Sequence, residues 1–463
     1  MSDFQTYQSP FTWRYGSPEM RQIWSEAYKR RLWRQLWVAL AETEAEYGLV
    51  SQEQVDELRR QAGAVDVARA LEIEAEIHHD LMAELKTFAE QAPSAGGSLH
   101  IGATSMDIED NADALRIRQS LGLIVNSLRS LLQSLSDKVS ELAGVVSMGY
   151  THLQTAEPVT IGYRLAVYLQ DLYADYCNLQ EEQHKIKGKG FTGAVGTGAS
   201  YADLIGVDNL PEFEAKLSAR LDLPFYPIAT QIYPRKQEYE VACALAGLGA
   251  SLYKFAFDLR VLQSPPFGEL AEPFGQKQVG SSAMPFKRNP INAEKIDSLA
   301  RSLAQMPRLA WDNAAHSLLE RTLDDSANRR TWLPEAFLTA SELIEVARKL
   351  ISGLQVNRTA IERNLLAYGP FAATERVLMG LAKAGADRQE MHSRLRQHAL
   401  TAWQAVQAGG ENPLIGLVIS DPIFQQFLPS EQIRNLFDIT QHTGDAAQRA
   451  RNLAAAVQEE IKG

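Results

Sequence analysis

Only two of the 463 residues are cysteine, Cys177 and Cys243, and neither belongs to a CxxC pair. A disulfide framework and a zinc ribbon are thereby excluded as sources of stability. Positive charge is also scarce: the formal net charge is -11, with acids and bases interspersed along the chain. A general nucleic-acid binder would need a basic face, so an anionic ligand here must find a local cluster of Arg, Lys and backbone donors. Long apolar runs are missing. Met1 to Phe11 carries no signal-like core, and the longest run, Val241 to Tyr253, is too short to span a bilayer and is broken by Gly247 and Gly249. The expectation is a cytoplasmic protein without membrane partners. Period-two alternation is rare, which leaves little room for a substantial sheet. HxxxH and HExxH spacings are absent around His78-His79-Asp80, which reads as a solvated helix face, and no metal is expected there.

What is present is helical. Hydrophobic residues make up 45% and charged residues 22%, enough to bury a large core, and the length suggests two or three domains. No proline interrupts the intervals from Pro93 to Pro158, Pro158 to Pro211, Pro234 to Pro265 or Pro334 to Pro370. Leu121, Leu128, Leu135 and Leu142 recur every seven residues with Val125, Leu132 and Val139 between them, a heptad-type seam. A helix from Asp110 to Ala143 would run roughly 50 Å. Tyr163 to Lys185 and Glu238 to Gln263 read the same way, the latter apolar almost all round and so in need of neighbours. The aromatics Trp24, Tyr28, Trp33 and Trp37, at helical spacing, read as core. An all-α fold follows, in three parts: residues 1–104 a smaller helical domain, 105–356 a central long-helix bundle, and 357–463 a C-terminal helical domain.

Two glycine patterns mislead. Gly188-Lys-Gly-Phe-Thr-Gly193 has GxGxxG spacing, but the residues before it, Gln180 to Lys187, are polar and helical rather than a buried strand. Gly275 to Ser281 has P-loop glycine spacing without the lysine before the serine. More informative is Gly280-Ser-Ser-Ala-Met-Pro-Phe-Lys-Arg-Asn-Pro290, read locally as a small-residue loop with Asn289 as N-cap and Pro290 at the first helical position. Lys287 and Arg288 crowd that helix start, so its backbone N–H groups and two cations predict a site for an anion or developing oxyanion beside a serine. Thr104-x-x-Asp107 fits a helix cap. His152 follows the long helix, and a lone histidine is more often structural than catalytic. Arg321 to Arg330 mixes three arginines with hydroxyls and reads equally as a surface helix with internal ion pairs.

Residues 280–290 match the GSSxMPxKxNP signature at every fixed position, and on this the chain resembles the fumarase/aspartase superfamily. Within it the chain is most similar to the eukaryotic-type branch of the adenylosuccinate lyase family. The supporting segments are Arg14-Tyr15-x-Ser17-Pro-Glu-Met20, His79-Asp80, Gly102-Ala-Thr-Ser105, Asp110-Asn111, Thr151-His-x-Gln154, Thr230-Gln231, Arg235 and Leu323-Asp-Asp-Ser-Ala-Asn-Arg-Arg330. They run in the family's order from residue 14 to residue 330.

The resemblance implies a lyase that eliminates fumarate from a succinylated purine nucleotide, with no cofactor, as a homotetramer whose sites are shared between chains. It implies Ser281 as general base and His152 as general acid, with Glu294 paired to the histidine. Lys287, Asn289, Thr104, Ser105 and Gln231 would hold the succinyl carboxylates, with Thr151 beside the acid. Arg14, Tyr15, Arg321, Ser326 and Arg330 would hold phosphate and ribose, with His79 and Asp80 at the phosphate and purine. Two positions depart from the family pattern: His78 replaces an arginine, and Thr155 replaces a second histidine that eukaryotic-type members also lack. Alternative readings are another superfamily lyase, acting on argininosuccinate, malate or aspartate, and a non-catalytic structural protein on the same scaffold. Arg14-Tyr15 and residues 323–330 favour a phosphorylated substrate, and retention of both Ser281 and His152 favours catalysis.

Overall fold

Polar caps set the N-terminal helices. Ser25 caps α1 (Glu26–Ala45), its hydroxyl accepting the Tyr28 N–H at 3.2 Å, and Asp66 caps α2 (Val67–Ile77). His78 ends α2 in the left-handed region at φ 56°, and His79 caps α3 (Asp80–Gln91) by accepting the Met82 N–H on Nδ1. The His-His-Asp stretch is thus a helix junction, not the helix face expected from sequence. Its unusual backbone turns the chain so that Asp80 opens a new helix. The computed structural model describes residues 4–462.

The seven-residue seam lies on α4 (Ser105–Leu142), a 38-residue helix of roughly 57 Å. Leu121, Val125, Leu128, Leu132, Leu135, Val139 and Leu142 are all buried, each contributing about 1.5–3 kcal/mol by leaving water. Half of the expected cap at its start forms: the Asp107 carboxylate accepts the Thr104 N–H at 2.9 Å. After α4 the chain makes a hairpin, β1 (Val146–Thr151) against β2 (Gln154–Thr160), then α5 (Ile161–Lys185). Further helices are α6 (Lys236–Gln263), α7 (Ile291–Leu303), α8 (Ser326–Ser352) and α9 (Arg358–Lys383), followed by others that include Arg388–Gln407 and Ala446–Glu460. A two-residue ladder pairs Leu270–Ala271 with Gln355–Val356. The fold is all-α with these small β additions.

Proline is a weaker boundary marker than its spacing suggests. Pro334 lies inside α8 and Pro370 inside α9. Each removes one helical hydrogen bond, a loss offset by packing at Pro370, which is buried. The GxGxxG stretch follows helix α5 and no strand, as expected. Its Lys189 is buried against Asp107, which makes it a structural cross-tie. Trp33 and Trp37 are core, while Trp24 is half-buried and stacks on Phe337 at 5.5 Å.

The chain divides into two compact units. The first comprises the residues up to Leu128, Asp175–Ala250 and Leu299–Glu345. The second comprises Arg129–Ala174, Ser251–Ser298 and Val346 onward, so the long helices contribute residues to both. In the second unit the hairpin packs on α9: Met148 belongs to a core with Ala373, Val377 and Leu381, and Tyr150 lies against it. Helix α6 corrects one expectation. Its length and mean hydropathy of 1.2 pass for a membrane-crossing segment, with 50% of the most apolar window buried within this chain. Glu238, Lys254, Asp258 and Arg260 interrupt it, as suits a core helix that needs neighbours on its open side.

Candidate active site

A buried charge network shapes one wall of the first unit. Arg235 donates both terminal nitrogens to Asp110, each at 3.0 Å, and its Nε to Asp325 at 2.6 Å. Arg329 donates to Glu238 at 3.0 Å and to Asp113 at 3.0 Å. Burial alone would raise Asp113, but Arg116 and Arg329 outweigh it and hold the carboxyl at about 2. Breaking a buried pair by removing one partner costs about 3–5 kcal/mol, so the network fixes the start of α8 against α4. Asp325 in turn accepts from Arg321 at 2.7 Å. The Arg321–Arg330 stretch is therefore no surface helix. Residues 321–325 form a loop and 326–330 the first turn of α8, with Arg329 turned inward and Arg321 and Arg330 left to face a cleft.

That cleft, about 410 Å³, gathers many of the residues singled out by sequence. His79, Asp80, Thr104, Ser105, Gln231, Arg321, Ser326 and Arg330 all line it, together with Glu74, His78, Met106, Glu109 and Leu323. Arg330 donates to Asp80 at 2.8 Å. Burial would raise the Asp80 carboxyl, but Arg330 and Lys29 overcome it and hold Asp80 below the usual range. Ser105 Oγ lies 3.5 Å from His79 Nε2. The volume falls in the range of small-molecule sites, and two guanidiniums beside hydroxyls and an amide suit an anionic, hydroxylated ligand. Arg14 and Tyr15 are not among the lining residues: Arg14 lies over the Trp13 ring, and Tyr15 meets Phe11 edge-on.

The second unit carries the proposed acid and base. Thr151 pairs with Gln154, so His152 and Leu153 form a two-residue hairpin loop, with φ of 53° and 60°. Such a loop matches strand twist but normally needs Gly, Asn or Asp. Two side-chain-bearing residues there are strained, and strain of this kind concentrates at functional positions. Both are exposed. Below the tip, the register shifts between Met148 and Tyr150, and a Cβ on Gly149 would sit 2.5 Å from the Glu157 carbonyl oxygen. Only glycine allows the strands to close there. The buried Glu269 ties the arm's base together, accepting from Tyr150 at 2.9 Å, Asn364 at 2.9 Å and Arg164 at 3.3 Å.

Around Ser281 the structure revises the local reading. Asn289 does not cap α7; its amide donates to the Gly280 carbonyl at 3.0 Å. Helix α7 begins at Ile291, one residue later than expected, with the Pro290 carbonyl accepting the Glu294 N–H. The helix-start N–H groups are already occupied, because Glu272 accepts from Asn292 N and Ala293 N at 3.1 Å. The donors aimed at the serine come instead from its own turn: Ser281 Oγ accepts from Met284 N at 3.1 Å and Ala283 N at 3.3 Å. Two N–H groups on one oxygen favour its deprotonated form. Lys287 is exposed beside this turn. Glu294 faces Arg260 at 3.9 Å, and among the described residues no ion pair joins it to His152.

Glu272 and Glu109 escaped sequence reading. Nothing in the sequence links Glu272 to a helix start some twenty residues on. Glu109 had a signal, since it lies four residues after Ser105 and hence on the same helix face.

The architecture and the catalytic-looking turn define a class. The Lyase family profile matches residues 13–304. The structure superposes on 3-carboxy-cis,cis-muconate lactonizing enzyme from Pseudomonas putida with a TM-score of 0.86, at 24% identity, covering 99% of this chain and 100% of that one. That likeness establishes a shared fold. Residues 370–453 match the adenylosuccinate lyase C-terminus profile. Adenylosuccinate lyase from Schistosoma mansoni is 39% identical, over 92% of this chain and 89% of that protein. The Saccharomyces cerevisiae enzyme of that name is 36% identical, over 97% and 94%. The chain belongs to the adenylosuccinate lyase family.

Proposed function

We propose that this protein eliminates fumarate from adenylosuccinate to give AMP, and from the succinylated imidazole carboxamide ribotide SAICAR to give AICAR, in purine nucleotide biosynthesis. Ser281 takes the proton from the succinyl carbon next to a carboxylate, and the electron pair is held on that carboxylate. The carbon–nitrogen bond then breaks, its electrons staying on nitrogen, which takes a proton from His152 as fumarate leaves. Lys287, Asn289, Thr104, Ser105 and Gln231 hold the carboxylates, with Thr151 beside the acid and Glu294 behind it. Arg14, Tyr15, Arg321, Ser326 and Arg330 hold the phosphate and ribose, and His79 and Asp80 the neighbouring edge of the nucleotide. The chemistry needs no redox group, and we assign no metal or cofactor to it.

The observation that carries this reading is the cleft itself, in which Arg321, Arg330 and Ser326 meet Thr104, Ser105 and Gln231. We read the first group as a phosphate end and the second as a carboxylate end of one cavity. We place the protein in the cytoplasm, with no nucleic-acid or membrane partner, and divide it at residues 104 and 356. The working form is a homotetramer with each active site drawn from several chains. Supporting this are the uncovered half of the α6 apolar window, the exposed Cys177 and Cys243, and Phe257 at 46% and Val167 at 47% exposure. The exposed hairpin tip and the missing Glu294–His152 pair fit completion by another copy.

Fumarate formation from adenylosuccinate, followed by absorbance, tests the reaction. Ser281→Ala and His152→Ala should each lower kcat by at least about 10²-fold. Dissociated and reassembled in equal amounts, the two inactive proteins should recover activity toward a quarter of the sites if acid and base come from different chains. Persistent inactivity after verified subunit exchange would place both in one chain and overturn the shared site.

A further inference from the structure

The cleft wall has a charge problem. Three carboxyls, Glu74, Asp80 and Glu109, line it against two guanidiniums, Arg321 and Arg330, so with every acid ionised the wall would repel an anion. Two of the three are compensated. Asp80 is paired with Arg330 at 2.8 Å, and Glu74 with Arg30 at 3.3 Å. Glu109 accepts no hydrogen bond and closes no ion pair among the described residues. It sits in the first turns of α4, half-buried, and faces both the cleft and a smaller cavity behind it that also reaches Ser326 and Arg330.

We propose that Glu109 meets the phosphate of the bound nucleotide as a neutral carboxylic acid, donating a hydrogen bond to it and so determining anion affinity. This rests on the cleft being the phosphate site of the proposed function. A carboxyl in this position has two states of opposite value. Neutral, it adds a donor to those of Arg330 and Ser326; ionised, it places a third negative charge against a dianion.

Its surroundings select the neutral state. On its own helix it faces Asp110, Asp113 and Arg116; on α1, Glu26 and Lys29 share the inner cavity. At the α2–α3 junction stand Glu74, His78, His79 and Asp80, and on α8 Arg329 and Arg330, with Arg321 just before it. The cations among these are largely engaged elsewhere: Arg116 with Asp113, Arg329 with Glu238, Lys29 with Glu26, Arg321 with Asp325. Burial, then Asp80, Asp113 and Asp110, push the Glu109 carboxyl up to about 8, with Arg330 opposing them. It therefore holds its proton at neutral pH and loses it in mild alkali.

The test compares KM for adenylosuccinate at pH 7 and pH 9 in the wild type and in Glu109→Gln, which keeps a donor but cannot ionise. A single group titrating near 8 raises the wild-type KM about tenfold over that interval, while the variant's KM should rise less than twofold. Both proteins share His78 and His79, so the difference isolates Glu109. An equal rise in both overturns the proposal. So does a wild-type KM that falls with pH, which would make Glu109 a carboxylate accepting from the ribose. Calorimetry on the wild type needs no variant: AMP binding at pH 8.5 should draw protons from the buffer, and binding without proton uptake refutes the idea. Should the wild type release no fumarate, the functional reading fails. The affinity for inorganic phosphate at the two pH values still decides Glu109, a tenfold loss supporting it and equal affinity excluding it.

Discussion

Replacing Arg330 by lysine keeps the charge and removes the fork. In the structure one terminal nitrogen of Arg330 is committed to Asp80 at 2.8 Å, and the side chain remains 55% exposed toward the cleft. A guanidinium serves both tasks because its donors point in fixed, diverging directions, whereas a lysine ammonium is a single point charge. On the proposed phosphate site, Arg330→Lys must therefore give up either the Asp80 contact or one contact to the phosphate. A hydrogen bond to a charged group is worth about 1.5–3 kcal/mol, and each 1.4 kcal/mol is about tenfold in affinity. KM for adenylosuccinate should rise roughly 10- to 100-fold, with kcat within about threefold, because the lost contact is made equally in ground and transition states. Initial rates of fumarate release give both constants. A KM within twofold of wild type would move the phosphate away from Arg330 and refute the assignment. Arg330→Ala provides the stability control. The half-exposed pair is screened by solvent and contributes at most about 1 kcal/mol. Because Asp80 is held below its ordinary range, that contribution is present above the unfolded carboxyl's pKa and is lost as pH falls through the folded value. The variant's stability deficit, read from urea unfolding, should therefore close in acid.

Two further outcomes follow from buried positions. Glu44 is 1% exposed with both carboxylate oxygens unpartnered, and burial pushes it up to about 8. The folded state thus keeps a proton that the unfolded chain releases near 4.5, so stability falls as pH rises from there to about 8, by at most about 5 kcal/mol. Glu44→Gln should remove that fall, and melting curves at pH 5 and pH 8.5 with the same slope as wild type would contradict it. At Gly162 a Cβ would lie 2.4 Å from Ala143 Cα and 2.6 Å from the Val139 carbonyl oxygen. Since backbone cannot rotate away, Gly162→Ala should cost about 1–3 kcal/mol in denaturant unfolding, and a loss under about 0.5 kcal/mol would show that α5 can shift.

The helices were legible because their evidence is repetitive. Four leucines at seven-residue intervals on α4 signal a buried stripe whatever the details of the neighbours. The hairpin was not, and the reasons are local: the strands pair around a register shift near Gly149, β2 contains Pro158, and the burial along each strand does not alternate. Without period two there is no strand signal to read. The cleft was half legible. Arg321, Ser326 and Arg330 lie close in sequence and share one wall, while Thr104 and Ser105 arrive from a cap and Gln231 from a distant loop. The N-cap reading of Asn289 failed because sequence cannot say which of several polar groups wins a helix start. Glu272 wins because it carries a full negative charge to the positive end of the helix.

The hairpin that ends in His152 acts as a lever with its fulcrum in the C-terminal helices. Met148 is embedded among Ala373, Val377 and Leu381, and Glu269 bolts Tyr150 to Asn364. From Met148 to His152 is about 14 Å of strand, so a tilt of about 5° at the base swings the tip by roughly 1 Å, a displacement that can cost about 10²-fold in rate. Residues of α9, more than two hundred positions from the histidine in sequence, thereby set its aim. With His152 as the proposed acid, a slightly loosened fit at Ala373 or Asn364 would reach the chemistry as misalignment, while the protein stayed folded and kept its grip on the proposed nucleotide site.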